Sequence, residues 1–577
     1  MASKNLFASK SAVSASLTVN EAGGKAYEMP AKEALAQLAV TGCFNNTFYA
    51  SGQNQLDKVK ELVKDVDPTF LAKLAVYSRE RGYMKDMPSF LVGYLSGLMT
   101  QAAKAEEAAL KLDRKAAARV EADKVREISA VLTQVFPRVV DNGRMLRNYV
   151  QMIRSGETGR KSFGSSPKKL VRSWFTTKTD EQVFYNSIGN DPSLADVIKL
   201  TRPVPSTKER AALYGYFLGK DTGLFNGESF SVAESIPGFV QRYEAFKADL
   251  SGSLPKVPFE MLLGLPLKAE QWKELALQAT WTQTRMNLNN FLKRGVFGSA
   301  ETGWDTAMIK AVADKLRDEK QIERAKVMPY QLLMAFKNTG VEMPVEITNA
   351  LQDAMEFATR NVPVVDGLVA IFPDISGSMH SPVTGYQVNP KTGKTETHTS
   401  KVQCIDVAAL VAASVLRANP NALVLPFSDD ALTNVKLNPR DSVMTNADKL
   451  SALPSGGTNC SAPMRVLNQR GIVPTLVWYV SDNESWLDNH HNHYGYQDTG
   501  TATEWAAVEK RAPNAKLVCM DIQPYTTTQA QTRPNVMNVG GFSDSVFDVV
   551  KSFCSGGASD WVSVIEQTNL SGGLSDA

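Results

Sequence analysis

Between residues 30 and about 362, apolar side chains recur at the spacing of amphipathic helices. Most of the large apolar residues in 70–77 fall on one helix face, and residues 101–136 are dense in strong helix formers. Further helices are predicted at 208–218, 268–291, 306–316 and 329–336. Helix pairs joined by short Pro- and Gly-containing breaks predict an α-solenoid of HEAT type. No clean repeat period emerges, so periodicity alone allows an irregular helical domain equally well.

The pattern changes at Gly367. Residues 368–372 form a short continuous apolar run, as in a strand buried on both faces. Similar runs at 423–425, 475–480 and 517–520 alternate with helical segments at 402–417, 463–469 and 504–510. This alternation predicts a doubly wound parallel sheet. The polar segments 385–400 and 490–499 are predicted to be exposed loops.

The two patterns predict four segments along the 577 residues. They are a flexible tail at 1–29, a helical-repeat domain at 30–364, an α/β domain at 365–560 and a C-terminal tail at 561–577. The first residues lack the apolar core of a signal peptide, and no apolar run approaches the ~18 residues that span a bilayer. None of the five cysteines forms a CxxC pair, which argues against a zinc cage or disulfide framework and favours a cytoplasmic location.

The net charge of +3 is divided unevenly along the chain. Residues 1–365 carry 49 basic and 40 acidic side chains, a net of +9, whereas residues 366–577 carry 14 and 20, a net of −6. The N-terminal part is therefore the one that would attract a polyanion such as RNA. An excess of this size is also common in helical proteins that bind no nucleic acid.

Three loops of the α/β domain carry hard oxygen donors. The first holds Asp374, Ser376 and Ser378 in a DxSxS pattern, the second holds Thr458 after two glycines, and the third holds Asp482. The first and third directly follow predicted strands, at the edge where open α/β sheets bind ligands. Two carboxylates and three hydroxyls suit Mg²⁺ and argue against zinc. We therefore expect a divalent metal, Mg²⁺ before others, as the cofactor.

Two other groups are weaker candidates. His490, His491 and His493 could bind a transition metal, although a solvent-exposed His-rich loop is the simpler interpretation. Cys460 could be a nucleophile, but no histidine-based activating partner is evident, and a small buried thiol is more common. The sequence offers no Ser-His-Asp elbow, P-loop or paired catalytic carboxylates, so we expect no enzymatic activity.

The order DxSxS, Gly-Gly-Thr and strand-terminal Asp resembles the metal-ion-dependent adhesion site (MIDAS) of von Willebrand factor A (vWA) domains. Pro373, just before the first Asp, departs from most such domains and lacks a ladder donor. Residues 453–464, 481–486 and 541–544 resemble the vWA segments of the Ro autoantigen family. Segments similar to the family's TROVE module are 79–82, 197–203, 287–291 and 327–333. The resemblance covers about residues 30–560.

That resemblance implies a ring of HEAT-like helical repeats closed by the vWA domain. Family members bind small non-coding Y RNAs on the outer surface of the ring and take single-stranded 3′ ends of misfolded RNAs through its central hole. Bacterial relatives work with an exoribonuclease, polynucleotide phosphorylase. We therefore expect a monomeric, non-catalytic RNA-binding scaffold for RNA quality control.

Basic residues of the helical half fit that use. Lys168, Lys169 and Arg172 share a predicted helix with Trp174 and Phe175, whose rings either stack on bases or pack in the core. The other predicted RNA contacts are Lys199, Arg202, Arg285 and Lys293. For the last two, a role in helix packing is an equal alternative.

One position departs from the family's RNA-binding pattern. The family often carries His near the position of Leu194, in a segment associated with Y RNA binding. The departure favours the single-strand mode over the Y RNA mode. A second class of function also stays open, a vWA protein–protein adaptor whose metal captures a partner's carboxylate.

Overall fold

The computed structural model describes residues 17–571 apart from gaps at 42–43, 45–46, 48, 161, 300, 302, 326, 328, 361, 384–385, 389–394, 398–400, 488–497, 543 and 557–559. The chain divides into two compact units. The α/β unit comprises Met1–Val66, Lys326–Asn338 and Leu351–Gln567. The helical unit comprises Asp67–Ala325, Thr339–Ala350 and Thr568–Ala577.

The strands and helices are numbered along the chain. The strands are β1 (Leu17–Val19), β2 (Lys25–Glu28), β3 (Thr222–Phe225), β4 (Glu228–Ser231), β5 (Gly298–Ser299), β6 (Gly303–Trp304), β7 (Val369–Pro373), β8 (Tyr386–Val388), β9 (Thr395–Thr397), β10 (Leu423–Val424), β11 (Leu476–Ser481), β12 (Lys516–Asp521), β13 (Thr527–Thr528) and β14 (Val536–Gly540). The helices up to residue 262 are α1 (Ala31–Thr41), α2 (Gly52–Leu62), α3 (Pro68–Glu80), α4 (Asp86–Lys111), α5 (Lys115–Val139), α6 (Gly143–Ser155), α7 (Ser165–Thr177), α8 (Asp180–Tyr185), α9 (Leu194–Thr201), α10 (Lys208–Phe217), α11 (Val232–Ser235), α12 (Gly238–Ala248) and α13 (Phe259–Leu262). The later helices are α14 (Ala269–Gln278), α15 (Trp281–Lys293), α16 (Thr306–Arg317), α17 (Glu319–Ala325), α18 (Pro329–Asn338), α19 (Val345–Ala358), α20 (Cys404–Ala418), α21 (Val443–Ser451), α22 (Ser461–Gln469), α23 (Gly500–Arg511), α24 (Asp544–Cys554) and α25 (Trp561–Glu566).

A parallel five-stranded sheet forms the centre of the α/β unit. Its strand order is β10-β7-β11-β12-β14, and every neighbouring pair is parallel. The order reverses at β7, which lies between the next two strands of the sheet along the chain. This doubly wound topology confirms the predicted fold class of the C-terminal half, and the carboxyl end at β7 and β11 is where such sheets bind ligands.

Helices cover both faces of this sheet, because its strands are apolar on both sides. On one face, Phe372, Val477 and Leu517 pack in a single buried cluster with Met464 of α22 and Trp505 of α23. On the sheet's other face, α20 contacts β7 and β11. Truncating a fully buried aromatic residue of such a core to Ala costs about 3–5 kcal/mol. The core therefore fixes the strand ends that carry the predicted metal loops.

Residues 17–41 also belong to the α/β unit. β1 pairs antiparallel with β2, β2 pairs with β13, and α1 packs against β14. The backbone of α1 comes so close to Gly540 that an added Cβ there would lie 3.1 Å from the Gln37 Cα. The structure therefore differs from two predictions. Residues 17–28 contain two strands instead of belonging to a flexible tail, and α1 belongs to the α/β unit instead of starting the helical domain. At the other end, α25 buries Trp561 and Ile565, within the segment predicted as a tail.

The helical unit consists of successive helices that pack on their neighbours. Two segments that were each predicted as one helix are pairs of helices in the structure. Segment 101–136 divides between α4 and α5 at Asp113, which has a positive φ of 51°. Segment 268–291 divides between α14 and α15. The buried Arg210 ties α10 to the preceding helices by donating to the backbone oxygens of Phe175 (2.8 Å) and Lys178 (2.7 Å). These contacts confirm a helix-rich N-terminal half. Closure into a ring stays a prediction. Among the described residues, no helix is both long enough and apolar enough to cross a bilayer.

Candidate functional site

The first metal loop leaves the sheet at the end of β7. The Asp374 amide donates to the Val480 oxygen of β11 (3.0 Å), and the Ile375 amide donates to the Phe427 oxygen (2.9 Å). Pro373 keeps its place in the strand, because its carbonyl accepts from the Phe427 amide (3.1 Å). The missing N–H of Pro373 therefore does not disrupt the strand end.

Hydrogen bonds join the three predicted metal loops. The Ser481 hydroxyl donates to Asp374 Oδ2 (2.5 Å), which links the first loop to the third. The Gly377 amide donates to the Gly456 oxygen (2.9 Å), which links the first loop to the second. The Thr458 oxygen accepts from the Trp486 amide (3.1 Å), which links the second to the third. The structure thus brings together the loops that the sequence placed at this edge of the sheet.

The predicted metal ligands themselves are packed closely. The Ser376 amide donates to Asp374 Oδ1 (2.8 Å), and the hydroxyl oxygens of Ser376 and Ser378 lie 3.3 Å apart. The Asp482 carboxylate accepts a hydrogen bond from Ser378 and another from the Glu484 amide (3.2 Å). The two serines therefore face the same side of the loop, as the DxSxS spacing predicts.

Four acidic groups are buried at this edge of the sheet. Burial and the charge of Asp482 raise the pKa of Asp374 to about 7, and burial also raises the pKa of Asp482. Burial, with Asp482 nearby, raises the pKa of Glu484 to about 9 and that of Asp521 well above its usual range. In the described part of the chain, no basic side chain forms an ion pair with any of the four. A divalent cation would supply the missing positive charge, so the donor set fits Mg²⁺.

The fit of Mg²⁺ to this set of ligands depends on the serine and threonine hydroxyls. No group of three or more His, Cys, Asp or Glu side chains with metal-binding geometry occurs within the described residues. An ion here would therefore be held by Ser376, Ser378 and Thr458 as much as by Asp374 and Asp482, an oxygen-only set that suits Mg²⁺.

Tyr49 lies beside this site although it is far from the three loops in sequence, and no sequence pattern predicts its position there. Its hydroxyl is hydrogen-bonded to Ser378, and its ring lies edge-on against Tyr525, with centroids 5.9 Å apart. The Tyr49 amide donates to the Tyr525 hydroxyl oxygen (3.3 Å), and that hydroxyl donates to Thr47 Oγ1 (3.1 Å). No local motif marks Tyr49, because its contacts depend entirely on chain folding over more than 300 residues.

The N-terminal hairpin is attached to the third metal loop. The Ala22 amide donates to Glu484 Oε2 (3.0 Å), and Asn20 Nδ2 donates to the Ser485 oxygen (2.8 Å). A Cβ on Gly24 would lie 1.8 Å from the same Ser485 oxygen, so only glycine fits this approach. The position of the loop thus depends on residues far from it in sequence.

The predicted RNA contacts of α7 lie on its outer side. Lys169 and Arg172 are exposed and Lys168 is half-buried. Arg172 Nε also donates to the Thr201 oxygen (2.7 Å), which joins α7 to α9. Trp174 and Phe175 are 2% and 0% exposed, so these two rings pack in the core and do not stack on bases.

The remaining predicted RNA contacts fall into two groups. Lys199 and Arg202 are exposed on α9 and at its end, next to α7. Lys293 is exposed and Arg285 half-buried on α15, which packs on α14, α16 and α17 instead. Leu194, the first residue of α9, is buried. The structure therefore brings together only the α7 and α9 contacts.

The weaker candidates have different outcomes. Cys460 is 1% exposed and belongs to the core cluster of the sheet, which supports the buried-thiol interpretation. His490, His491 and His493 lie outside the described residues.

A doubly wound sheet with these three loops at its reversal point defines a vWA domain, here joined to a helix-rich unit. The family model for the Ro60 vWA domain matches residues 367–554. The RNA-binding protein RO60 of Deinococcus radiodurans is 25% identical over 560 residues, 93% of this chain and 95% of that protein. The RNA-binding protein RO60 of Caenorhabditis elegans is 21% identical over 280 residues, 47% of this chain and 40% of that protein. This chain is therefore similar to RO60 proteins over most of its length, and residues 367–554 match the Ro60 vWA domain.

A solved structure has a similar fold. The crystal structure of the Deinococcus radiodurans RO (RSR) protein matches with a TM-score of 0.58 and 21% sequence identity, over 92% of this chain and 100% of that chain. The similarity extends over both units, so the helix-rich half and the vWA domain occur together in a solved relative.

Proposed function

We propose that this chain is an RNA-binding scaffold of a small ribonucleoprotein. It binds small non-coding, Y-like RNA and the single-stranded 3′ ends of misfolded RNA for RNA quality control. The main support is similarity over 93% of the chain to a protein named RNA-binding protein RO60. The exposed basic residues Lys169, Arg172, Lys199 and Arg202 on α7 and α9 offer a phosphate-binding surface.

The scaffold role includes several further proposals. The chain acts without catalysis, as a monomer in the cytoplasm, and delivers RNA to an exoribonuclease such as polynucleotide phosphorylase. Support for the partner comes from the family resemblance. Support for the location comes from Cys404, Cys519 and Cys554, which form no disulfide within the described part of the chain.

The same proposal assigns Mg²⁺ to the vWA domain. The hydroxyls of Ser376, Ser378 and Thr458 and the carboxylates of Asp374 and Asp482 would hold it. When bound, the ion would neutralise the buried acids and offer a coordination position to water or an anion. The chain's own contribution is to hold the five groups in place through the bonds among the three loops.

Gel-shift titration of the full chain tests RNA binding. An RNA with a free single-stranded 3′ tail should bind better than the same RNA without the tail, because threading needs an end. Affinity should fall with salt, with a log–log slope of roughly −0.7 for each phosphate contact on a single strand. Absence of RNA binding even at low salt would contradict the proposal and favour the adaptor function.

A further inference from the structure

The helical unit contains a cavity of about 570 Å³, lined by the ends of α3 and α5 and by residues 570–571. Ligand sites in proteins usually measure about 300–1,000 Å³, so this space is large enough to hold a ligand. Residues 568–571, here called the C-terminal segment, belong to the same unit as both helices. The chain's own C-terminal segment therefore supplies part of the cavity wall.

The C-terminal segment is attached to α5 through its backbone. Arg138 Nη1 donates to the Asn569 carbonyl oxygen (2.5 Å). The Asn569 side chain accepts from the Ser571 amide (2.9 Å) and hydroxyl (2.8 Å), which fixes a tight turn in the segment. Leu570, between these two residues, is half-buried and lines the cavity. The segment thus contributes one backbone carbonyl and one aliphatic side chain to the contact.

The charges along the cavity wall are already balanced. Arg138 Nε and Nη2 donate to the two carboxylate oxygens of Glu80 (2.7 Å each). Arg79 Nη2 donates to both carboxylate oxygens of Asp141 (2.9 and 2.8 Å). Because each arginine is paired with a carboxylate, these four residues offer no net positive charge to a phosphate. The wall is therefore better suited to an uncharged peptide backbone than to RNA.

Pro137 adds a backbone acceptor to the same wall. It lies inside α5 and has no N–H, so the Thr133 carbonyl lacks its usual helical donor four residues later. Both residues line the cavity and are exposed. A peptide laid against this end of α5 would meet a donor in Arg138 and an acceptor in Thr133. These are the two kinds of partner that an extended backbone requires.

We propose that this cavity is a binding site for an extended, uncharged peptide segment of a partner protein, and that the C-terminal segment occupies it within the chain. The partner places a backbone carbonyl on Arg138 and an aliphatic side chain in the position of Leu570. The C-terminal segment makes both of these contacts, so this chemistry fits the wall. A partner binds by displacing it, and the chain's own residues therefore lower the affinity of the site.

A fluorescein-labelled peptide with the sequence of residues 567–571 and blocked ends tests this proposal, with anisotropy measured against the full chain. The C-terminal segment competes with the peptide in wild type. Leu570→Asp in the chain should therefore raise peptide affinity at least about tenfold, or ~1.4 kcal/mol. A peptide with Asp in place of its leucine should bind neither protein. Equal binding of the two peptides, equal affinity of the two proteins, or no binding by Leu570→Asp would each overturn the proposal.

Two changes in the Leu570→Asp chain test the backbone contacts. Arg138→Met removes the donor and should weaken peptide binding at least about tenfold. Pro137→Ala returns an N–H to the Thr133 carbonyl, so it should weaken binding about threefold while urea unfolding shows a more stable protein. A proline with a merely structural role would not change the two quantities in opposite directions. Arg126→Ala, exposed on the same helix, is the matched control and should leave peptide affinity unchanged.

A competition experiment separates a peptide site from an RNA site. A single-stranded oligouridine should not displace the labelled peptide from the Leu570→Asp chain, because the wall has no net charge. Displacement at low salt that Arg138→Met abolishes would assign the cavity to RNA and overturn the proposal. If Arg138→Met or Pro137→Ala does not fold, the comparison between the two peptides still decides. The proposed RNA-binding function is tested separately by gel shift and stands whichever result is found here.

Discussion

At the scale of single residues, the carboxyl edge of the sheet combines groups that are unfavourable together. Asp374 and Asp482 are both buried. Burial raises the pKa of each, and the charge of Asp482 raises the pKa of Asp374 further. Hydrogen bonds from Ser376, Ser378 and Ser481 offset part of that cost. Without a cation, this edge should be a weak point of the α/β unit, and its stability should depend on pH.

Asp374→Asn should stabilise the metal-free protein at neutral pH. The folded pKa of Asp374, about 7, lies above the unfolded value of 3.8, so the folded state holds more protons between these values. The contribution of Asp374 to stability therefore falls as pH rises from about 4 to 7. Asn cannot ionise and keeps an oxygen that can accept from the Ser376 amide, whereas its amide nitrogen requires the Ser481 hydroxyl to accept instead of donate. Urea unfolding with a chelator at pH 5 and pH 8 measures the effect, and the exposed Asp366→Asn is the control. Parallel pH dependence in Asp374→Asn and wild type would contradict this.

Mg²⁺ should stabilise wild type and leave the stability of Asp374→Asn almost unchanged. At a free concentration about a hundred times Kd, a ligand that binds only the folded state stabilises it by about 2.7 kcal/mol. Wild type and Asp366→Asn should gain this stability, and Asp374→Asn should gain almost none. Chemical unfolding followed by tryptophan fluorescence with and without Mg²⁺ measures it. Equal stabilisation of all three proteins would remove Asp374 from the site.

The sequence sufficed to predict the donors but not the distant residues that lie beside them. DxSxS, Gly-Gly-Thr and a strand-terminal Asp are local patterns, and parallel strands bring their carboxyl ends to one edge wherever the rest of the chain goes. Tyr49 has no such pattern. Its place beside Ser378 follows from packing on Tyr525, which no periodicity reveals. Local spacing thus predicts a ligand set, whereas the residues packed around that set depend on tertiary contacts.

At the scale of elements, the N-terminal hairpin of β1 and β2 belongs to the α/β unit, which the sequence does not predict. β2 has four residues and its partner β13 has two, too few for an alternating pattern to be recognised. The apolar pattern of α1 predicts a helix of the helical domain, yet residues 33–40 are buried in the α/β unit. Elements that pair over 500 residues of sequence leave no local signal of their partner.

Deleting residues 1–28 should destabilise the α/β unit by about 2–3 kcal/mol, the value of one large buried side chain such as Tyr27 together with its strand pairing. It should also weaken Mg²⁺ binding, because the contacts of Asn20 and Ala22 with the third metal loop are lost. Chemical unfolding and metal titration measure the two effects. Deletion of residues 1–15 leaves the hairpin intact and is the control. Identical behaviour of the two deletions would show that the hairpin is not needed.

The basic face of α7 is tested by changing Lys168, Lys169 and Arg172 together to Ala. If all three contact phosphate, the salt dependence of RNA affinity should become shallower by about two units of slope, at roughly 0.7 for each contact. Changing the exposed Lys436, Lys510 and Lys551 of the vWA domain to Ala removes the same charge and is the matched control. An unaltered slope, or an equal change in the control, would exclude α7 from the RNA surface.

At the scale of the whole molecule, charge and metal chemistry belong to different parts of the chain. Residues 1–365 carry a net charge of +9 and residues 366–577 a net of −6. The acidic vWA domain would repel phosphate, whereas the exposed lysines and arginines of α7 and α9 would attract it. The sequence alone predicts this uneven distribution of charge, because the charge is obtained by counting residues and requires no knowledge of contacts.

The separation predicts that metal and RNA binding are independent. Asp374→Asn should change RNA affinity by less than about tenfold, or ~1.4 kcal/mol. Gel-shift titrations of the variant and wild type, each with and without Mg²⁺, measure this. A larger loss in a variant with unchanged unfolding behaviour would mean that the vWA domain takes part in RNA binding.

The pairing of β2 with β13 sets an order of events during synthesis. The first part of the vWA unit leaves the ribosome before the helical unit, and its partner strand follows about 500 residues later. At a typical 5–20 residues per second, the hairpin and α1 wait about 25–100 s for the sheet that buries them. Over that interval the side of α1 that packs on β14 has no native partner to cover it. A nascent chain of this protein should therefore depend on chaperones most at its beginning, long before its last domain exists.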